Sequence, residues 1–488
     1  MNLQLPQQTY QSRSRPFSSE RLLNMLFEPS PQNKETYMLI GAPGLKEYYD
    51  LGGNQPILGM IYLRNFLVYV TTDIIRVIYK RSDTGQVVEI ASKYWATEGW
   101  TQPTSPVQMC CNGDTVMMLN PNNKKLYFVD LFGENELDPA GWNIASVVVP
   151  NPEAKYTSIA YITGVFVGAC QIDSASYIQY TEVLGHEMVY AFQLDTALTN
   201  LSALASNMRE LWCFGANSIE VVAPTGETGN DFFGHVPGAY TNKGCVCKNS
   251  IATYDTIFFF YGTNGNIYAA ENYATVKPIS TAALLEMISS WGTLDTQQDK
   301  DGVIGQVYTQ NGHTYYMLKF KKFGKTLLYD ISTSSWSERE TGDGEEWEGE
   351  YVVRRPNGEM IVSSSTTDKL YIMDPTVYTD NGVAICREFV FPTLRTEGKK
   401  RIFFYSLTLD VDVGLGLDDY VMLSWSDDGG YTWNNNRMLR LGARGEYKKK
   451  IQFRRLGSSS LRTYKVRFST ASMVNVLSAS LEAEEGQV

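Results

Sequence analysis

The chain has 488 residues, too many for one ordinary hydrophobic core, so the sequence predicts at least two domains. Its net charge of −11 and its pI of about 5.0 argue against a general nucleic-acid-binding protein, whose grip on phosphates needs a basic surface. Aromatic residues make up 12% of the chain and charged residues only 19%, a balance that favours short strands and turns over long helices.

The cysteines and histidines do not form a pattern typical of a disulfide framework or a zinc site. The cysteine count is odd, and zinc needs four converging ligands. We therefore predict no metal, no cofactor and assembly in a reducing cytoplasm. The N-terminus lacks the apolar core of a signal peptide and no run is long enough to span a bilayer, so a protein that is soluble when made is expected. The residues concerned are Cys110, Cys111, Cys170, Cys213, Cys245, Cys247, Cys386, His186, His235 and His313.

Residues 1–36 are polar and rich in proline, which predicts an extended N-terminal arm and no domain of its own. Within this arm the segment Asn24–Pro29 (NMLFEP) is apolar enough to dock on another part of the protein. From residue 37 to about 383 a loose repeat follows, in which apolar strands alternate with Gly, Asn and Asp turns at a spacing of roughly 45–50 residues.

The repeat length is typical of a four-stranded propeller blade, so residues 37–383 are predicted to form an irregular β-propeller of about six to seven blades. Lys125–Asp130, Thr326–Asp330 and Lys369–Asp374 echo one another and resemble the strand that closes many blades. A β-sandwich built from the same strands is the alternative. The fold class is therefore all-β, as the composition also indicates.

Two segments interrupt the repeat. Ser280–Trp291 has helical spacing, with Thr281 placed to cap the helix. Thr341–Glu350 (TGDGEEWEGE) is acidic and glycine-rich, and we expect an exposed loop rather than a calcium or catalytic cluster. Asp299–Gly302 lacks the remaining ligands of a calcium loop.

The character of the chain changes at about residue 384, where strands lengthen and the charge becomes mildly basic. Residues 384–484 are predicted to form an antiparallel β-sandwich. This region contains SDDGGYTW at Ser426–Trp433, which fits the S-x-D-x-G-x-T-W pattern of an "Asp-box" hairpin. Asp and Gly form tight turns and aromatics pair well across strands, so Ser426, Asp428, Gly430 and Trp433 are predicted to be structural.

Asp-boxes are best known from sialidases, where they recur through several blades and lie away from the catalytic centre. Only one is found here, and we predict no catalytic residue and no enzyme. A basic segment follows the hairpin and is predicted to be a strand pair that docks on an acidic neighbour, for example another copy of the chain, with protection of a sheet edge as the simpler alternative. Its candidate interface residues are Lys448, Lys449, Lys450, Arg454 and Arg455.

Four segments in the same order resemble the tail nozzle proteins of short-tailed bacteriophages, also called packaged-DNA stabilisation or tail accessory proteins. The likeness spans most of the chain, and its ordered set of motifs is more specific than any one motif. Its segments are Asn24–Pro29 leading to Ala42–Tyr48; Leu211–Glu220 with Pro224–Gly226 and Gly244–Ala252; Tyr315–Trp336; and Trp425–Gly457.

The resemblance implies a propeller with an added β domain, assembled as a homohexameric ring in the virion tail. Such a ring continues the DNA channel below the portal and its adaptor ring, retains packaged DNA and lets it pass during ejection. The implied partners are a tail needle or plug, nearby tailspikes or fibres, and genomic duplex DNA that passes without specific binding or membrane insertion. An acidic wall suits this role, because repulsion lets a strand slide.

Two alternatives remain open at this point. One is a tail-associated glycan-cleaving propeller, which needs two carboxylates across the sugar. The other is a glycan-binding or host-surface module without catalysis. Release of sugars from host polysaccharide would identify the first, and a position at the tail tip in contact with a receptor would identify the second.

Overall fold

The computed structural model describes residues 1–30, 37–81, 84–131, 137–149, 151, 154–172, 175–195, 200–207, 209–396, 398, 400–416 and 419–486. Residues 31–36, the end of the predicted arm, lie outside this set. Six short strands precede the first blade: β1 Asn2–Leu3, β2 Tyr10–Gln11, β3 Ser19–Leu23, β4 Met25–Pro29, β5 Tyr37–Gly41 and β6 Gly44–Tyr49.

The described residues form seven blades of four antiparallel strands. Blade 1 is β7 Gly59–Leu63, β8 Phe66–Val70, β9 Ile74–Lys80 and β10 Val87–Tyr94; blade 2 is β11 Gln108–Cys111, β12 Thr115–Leu119, β13 Leu126–Leu131 and β14 Trp142–Ser146; blade 3 is β15 Tyr156–Ile162, β16 Val165–Ile172, β17 Ala175–Thr181 and β18 Met188–Gln193; blade 4 is β19 Ala203–Ser206, β20 Leu211–Phe214, β21 Ile219–Pro224 and β22 Phe233–Thr241; blade 5 is β23 Ala252–Tyr254, β24 Ile257–Tyr261, β25 Ile267–Asn272 and β26 Thr275–Pro278; blade 6 is β27 Val303–Gln310, β28 His313–Phe320, β29 Lys325–Asp330 and β30 Ser335–Arg339; blade 7 is β31 Gly349–Arg354, β32 Met360–Ser364, β33 Leu370–Asp374 and β6.

The propeller is closed in two ways. The inner strand of each blade contacts the inner strand of the next, and β31 of blade 7 contacts β7 of blade 1. The outer strand of blade 7 comes from the N-terminal segment, because β6 pairs antiparallel with β33 through Leu45 and Met373. A sheet closed on itself removes the free edges that an open array of strands would expose. The predicted propeller is thus confirmed, with seven blades.

The sequence repeat corresponds to the blade repeat. Inner strands begin at residues 59, 108, 156, 203, 252, 303 and 349, which gives a spacing of 46 to 51 residues. The echoing segments that were expected to close blades are instead third strands, β13, β29 and β33, with one more strand outside each. Cross-strand packing accounts for their apolar character, since these strands have neighbours on both sides.

Among the described residues, the two α-helices lie in a link between blades 5 and 6. α1 Ala282–Trp291 begins as predicted, because the Thr281 side chain accepts the Leu284 N–H at 3.1 Å. α2 Gln297–Asp301 begins with a capping box formed by Thr296 and Asp299. Short 3₁₀ turns lie at Pro139–Gly141, Gly229–Asp231, Lys248–Ser250 and Lys321–Phe323. No helix in the described ranges combines the length and apolar character needed to cross a bilayer.

The remaining strands complete a β-sandwich: β34 Thr379–Asp380, β35 Val383–Val390, β36 Leu394–Arg395, β37 Ile402–Val411, β38 Tyr420–Ser426, β39 Arg437–Arg440, β40 Ile451–Ser459, β41 Leu461–Thr470 and β42 Asn475–Glu485. One sheet has the order β4-β5-β42-β37-β40, and the other runs β3-β35-β41-β38-β39. Their facing residues, such as Leu407 and Val466, share one buried core.

The N-terminal arm belongs structurally to the sandwich. β1 pairs with β42, β4 and β5 extend the first sheet, and β3 pairs with β35 of the second sheet. Met25 is fully buried in the sandwich core, while the next residue, Leu26, packs in the core between blades 6 and 7. The apolar segment predicted to dock therefore lies between the two domains, with consecutive side chains pointing into different cores.

Candidate functional site at the sandwich edge and the domain junction

The Asp-box forms the turn after β38, where Asp428 accepts most of the free donors of its own loop. Asp428 Oδ1 accepts from the Ser426 hydroxyl at 2.6 Å and from the Tyr431 N–H at 2.9 Å, and Oδ2 accepts from the Thr432 hydroxyl at 2.5 Å. These hydrogen bonds, from Ser426 and Thr432 first, hold the pKa of Asp428 far below its usual range. A carboxylate saturated in this way holds a loop and has no lone pair directed at a substrate.

The same turn holds the N-terminal arm. Gly429 and Gly430 both have positive φ, and their carbonyls accept from Ser19 Oγ at 3.2 Å and from Arg15 Nη1 at 3.2 Å. A Cβ on Gly429 would lie 2.5 Å from Pro16 Cα, so only glycine allows this approach. On the strand side, Asp427 forms a two-pronged ion pair with the buried Arg462 at 2.7 and 2.8 Å. Trp433 lies under the Lys465 ammonium at 4.3 Å.

The domain junction is built around Arg21 of β3, which lies between blade 6 and the sandwich. Its guanidinium is 2.8 Å from Glu338 and 3.3 Å from Glu340, both in or next to β30, and 3.3 Å from Glu388 in β35. Burial opposes the charge on Glu388, yet Arg21, Lys465 and Arg467 hold the pKa of Glu388 below its ordinary value. One arginine of the arm thus pairs with carboxylates of both domains.

Two further arm residues strengthen this junction. Asn24 is buried with φ of 51°, and its amide donates to the Glu340 carbonyl at 2.9 Å and to the Cys386 carbonyl at 2.7 Å. His313 of blade 6 bridges Glu28 of the arm at 2.8 Å and Asp330 at 2.7 Å. Burial disfavours the imidazolium, but Asp330 and Glu28 outweigh it and raise the pKa of His313.

The acidic segment Thr341–Glu350 forms the predicted exposed loop only at its centre, Asp343–Glu345, while its two ends are buried. Trp347 is buried, with the Arg339 guanidinium 5.1 Å from its ring centre. Glu346 pairs with the fully buried Lys319 at 2.7 Å, and Glu350 pairs with Lys321 at 2.7 Å. These carboxylates neutralise lysines from β28 and the turn after it, which the sequence did not reveal because about thirty residues separate the partners.

The predicted interface residues lie at one edge of the sandwich. It is the edge opposite to the N-terminal arm strands β3, β4 and β5. β39 and β40 are the last strands of their sheets, and Arg437 of β39 donates to the carbonyls of Arg454 and Arg455 at 2.7 and 3.1 Å. The predicted strand pair is wrong in one respect, because Lys448–Lys450 form the turn and entry to β40 and the strand begins at Ile451. Arg455 lies in a bulge with φ of 58°.

We call this surface the basic edge and define it as Arg437, Arg440, Arg444, Lys448, Lys449, Lys450, Arg454 and Arg455. Glu446 is the only acidic residue in the interval 434–459 that contains them, and it accepts from the Ala443 N–H at 3.1 Å. Within the described ranges, Lys448, Lys449, Lys450 and Arg455 form no ion pair.

No metal site was found in the part of the chain that the structure describes, where no three His, Cys, Asp or Glu side chains gather as ligands. All seven cysteines are free thiols. The three histidines each contact a carboxylate: His186 contacts Asp130 at 2.8 Å, His235 contacts Glu220 at 2.6 Å, and His313 contacts two.

The structure is that of a two-domain β protein. Its N-terminal arm contacts both the seven-bladed propeller and the two-sheet sandwich and holds them together. Family models of the two domains match almost the whole chain. "Bacteriophage P22 Gp10, beta-propeller" matches residues 1–378, and "Bacteriophage P22 Gp10, beta-sandwich" matches residues 386–484. The chain therefore belongs to the P22 Gp10 family of phage structural tail proteins, and its place is in the virion.

Other comparisons add little. No curated protein matches the chain significantly in sequence. Three similar solved structures are the β-propeller domain of Cps50 (Swd1) from Myceliophteria thermophila, with 9% identity over 56% of this chain and 83% of that one and a TM-score of 0.37; the N-terminal domain of Nup159, with 11% identity over 73% and 99% and a TM-score of 0.36; and the WD40 domain of Pan2 from Neurospora crassa, with 12% identity over 68% and 94% and a TM-score of 0.38. These TM-scores are too low to carry an inference.

Proposed function

We propose that this protein forms a ring-shaped tail nozzle that extends the DNA channel below the portal and its adaptor, retains packaged DNA and lets it pass during ejection. The family match over both domains carries the proposal. The ring is a homohexamer that contacts the adaptor ring on one side and a needle or plug on the other, with tailspikes or fibres nearby. It assembles in the host cytoplasm.

The charge of the propeller supports a channel wall that does not hold DNA. Residues 37–383 contain 22 Lys and Arg against 38 Asp and Glu, a net charge of −16. Duplex DNA carries about one negative charge per 1.7 Å of axis, so an acidic wall repels it and leaves no deep binding minimum along the path. DNA then moves past without specific contacts.

A glycan-cleaving role finds no support in the Asp-box. The motif lies in the sandwich, not in a blade, and the Asp428 carboxylate is fully used by its own loop. A glycosidase needs two carboxylates about 5–10 Å apart that remain free to act on the sugar. The assay for released sugars, run with the purified protein on host surface polysaccharide, separates an enzyme from a structural protein.

The channel role is tested by duplex binding as a function of salt. The purified protein should bind a short DNA duplex only weakly at physiological salt, measured by fluorescence anisotropy. Binding that is tight and survives a rise in salt would contradict a wall past which DNA slides.

A further inference from the structure

The charge of the protein is separated between its two domains. The propeller segment carries −16, whereas residues 384–488 contain 16 Lys and Arg against 12 Asp and Glu, a net charge of +4. Half of those cations belong to the basic edge, and the 26 residues 434–459 that contain them include one acidic residue, Glu446. A local excess of this size in an acidic protein has an electrostatic cost unless something acidic lies opposite.

The two edges of the sandwich differ in the strands that lie next to them. At one edge, the arm strands β4 and β5 extend the first sheet. At the same edge, β3 extends the second sheet and also pairs with β30 of blade 6. On the other side, β39 and β40 have no further strand among the described residues, and the basic edge follows them. An exposed strand edge offers unpaired backbone groups, and Lys and Arg on it prevent unwanted pairing.

Protection of an edge does not explain the apolar side chains that accompany these cations. Tyr447 is 68% exposed, Met438 is 57% exposed and Tyr420, opposite Arg440, is 37% exposed. Tyrosine, methionine and arginine together are enriched at the centres of protein–protein interfaces. Tyr420 and Met438 lie on the same face of the β38–β39 pair, together with Arg440, so they form one exposed group and not scattered single side chains. A grouped apolar surface rimmed by charge is typical of an interaction site.

We propose that the basic edge docks on the acidic propeller of a second copy of this chain. The propeller segment of the same chain supplies the opposite charge, since residues 37–383 carry a net charge of −16. A contact between two different patches of identical subunits is head-to-tail, and such contacts close into rings when the rotation allows. The inference rests on the proposed ring and assigns one side of its subunit contact.

DNA is the other polyanion to consider, and the side chains among the cations disfavour it. The exposed Met438 has no use in phosphate binding, whereas it suits a protein partner. Binding of DNA by the basic edge is therefore one of the outcomes that the test distinguishes.

The test uses tails purified from virions and a zero-length carbodiimide cross-linker, which joins lysine amines to carboxylates in contact. In wild-type tails, a band of twice the chain mass is expected, with links from Lys448, Lys449 or Lys450 to propeller carboxylates identified by mass spectrometry. The triple variant Lys448→Gln, Lys449→Gln and Lys450→Gln should reduce that band at least fivefold. All three lysines precede the strand, so the fold is expected to survive.

A matched control removes the same charge from the propeller. Lys124→Gln, Lys125→Gln and Lys155→Gln change three exposed lysines of the propeller segment, outside the basic edge, and should leave the band unchanged. If the variant protein is missing from tails, the cross-link sites of the wild type decide the question alone.

Each other outcome overturns the inference in a distinguishable way. Rings seen by cryo-EM whose links bypass these lysines contradict the assigned surface but keep the proposed function. Absence of any ring in the tail contradicts the proposed function itself. Links to a different tail protein, or a triple variant that loses duplex binding while the doubled band remains, would assign the basic edge to that partner or to DNA.

Discussion

Cationic side chains occur at both ends of the sandwich, and at the domain junction Arg21 and Arg467 are neutralised within the chain. Arg21 has three glutamates within 3.3 Å, and Arg467 pairs with Glu388 at 2.7 Å. At the basic edge, Arg455 and three consecutive lysines form no ion pair in the described residues. A buried charge needs its partner inside the same molecule, whereas an exposed one does not. The difference separates a side of the sandwich that is complete from a side that is available to a neighbour.

The substitution with the largest expected effect on the domain junction is Arg21→Ala. It leaves Glu338, Glu340 and Glu388 without their shared cation, and we expect a loss of about 3 kcal/mol in the free energy of unfolding. Denaturant unfolding followed by tryptophan fluorescence measures it, and separation of one transition into two would show that the domains had uncoupled. Arg13→Ala, an arm arginine that is 88% exposed, should cost less than about 0.5 kcal/mol.

A double-variant cycle sharpens the same point. Glu388→Gln removes one of the carboxylates that Arg21 neutralises, so the double variant should lose less than the sum of the two single losses. Strict additivity would mean that the pair contributes nothing and that the junction is held by packing alone.

The Asp-box is the next largest test, because it fixes the arm from the sandwich side. Asp428→Ala leaves the donors of Ser426, Tyr431 and Thr432 without their acceptor. We expect the free energy of unfolding to fall by about 2 kcal/mol. Asp428→Asn keeps one acceptor oxygen and should lose less. Thermal unfolding at matched pH measures both, with Asp410→Ala, an exposed aspartate of the same domain, as the control.

His313 gives the smallest effect and a pH dependence. Its folded pKa is raised, so its stabilising contribution is fully present below the unfolded value of about 6.5 and is lost as pH rises through the folded value. Hydrogen exchange at Leu26, Phe27 and Glu28, corrected for the intrinsic rate, should become faster as pH rises. His313→Gln should remove the dependence, while the half-exposed His235→Gln should keep it. A flat profile in the wild type would mean that the Glu28 contact does not anchor the arm.

The repeat architecture could be predicted from the sequence because a blade is a local unit. Each strand pairs with the next one along the chain, and the turns between them carry their own signals, as in the Asp-box. The helix cap at Thr281 was predictable for the same reason. The outer strand of the seventh blade was not predictable, because it comes from residues 44–49, more than 300 positions before its partner β33.

The junction was equally hidden from the sequence. Arg21, Asn24 and Glu28 stand in a polar, proline-rich segment that resembles a free arm, and their partners lie 285 to 367 residues away. No local periodicity marks such contacts. The burial of the two ends of Thr341–Glu350 was not predictable for a related reason. Acidic residues predict a solvated loop unless buried lysines such as Lys319 are known to face them.

The most direct test is a cryo-EM map of the virion tail. The account predicts six copies of this chain in a closed ring around the DNA path, between the adaptor ring and the needle or plug, with each basic edge against the propeller of its neighbour. Separate copies on the outside of the tail, with the basic edge in solvent or on a host receptor, would contradict it.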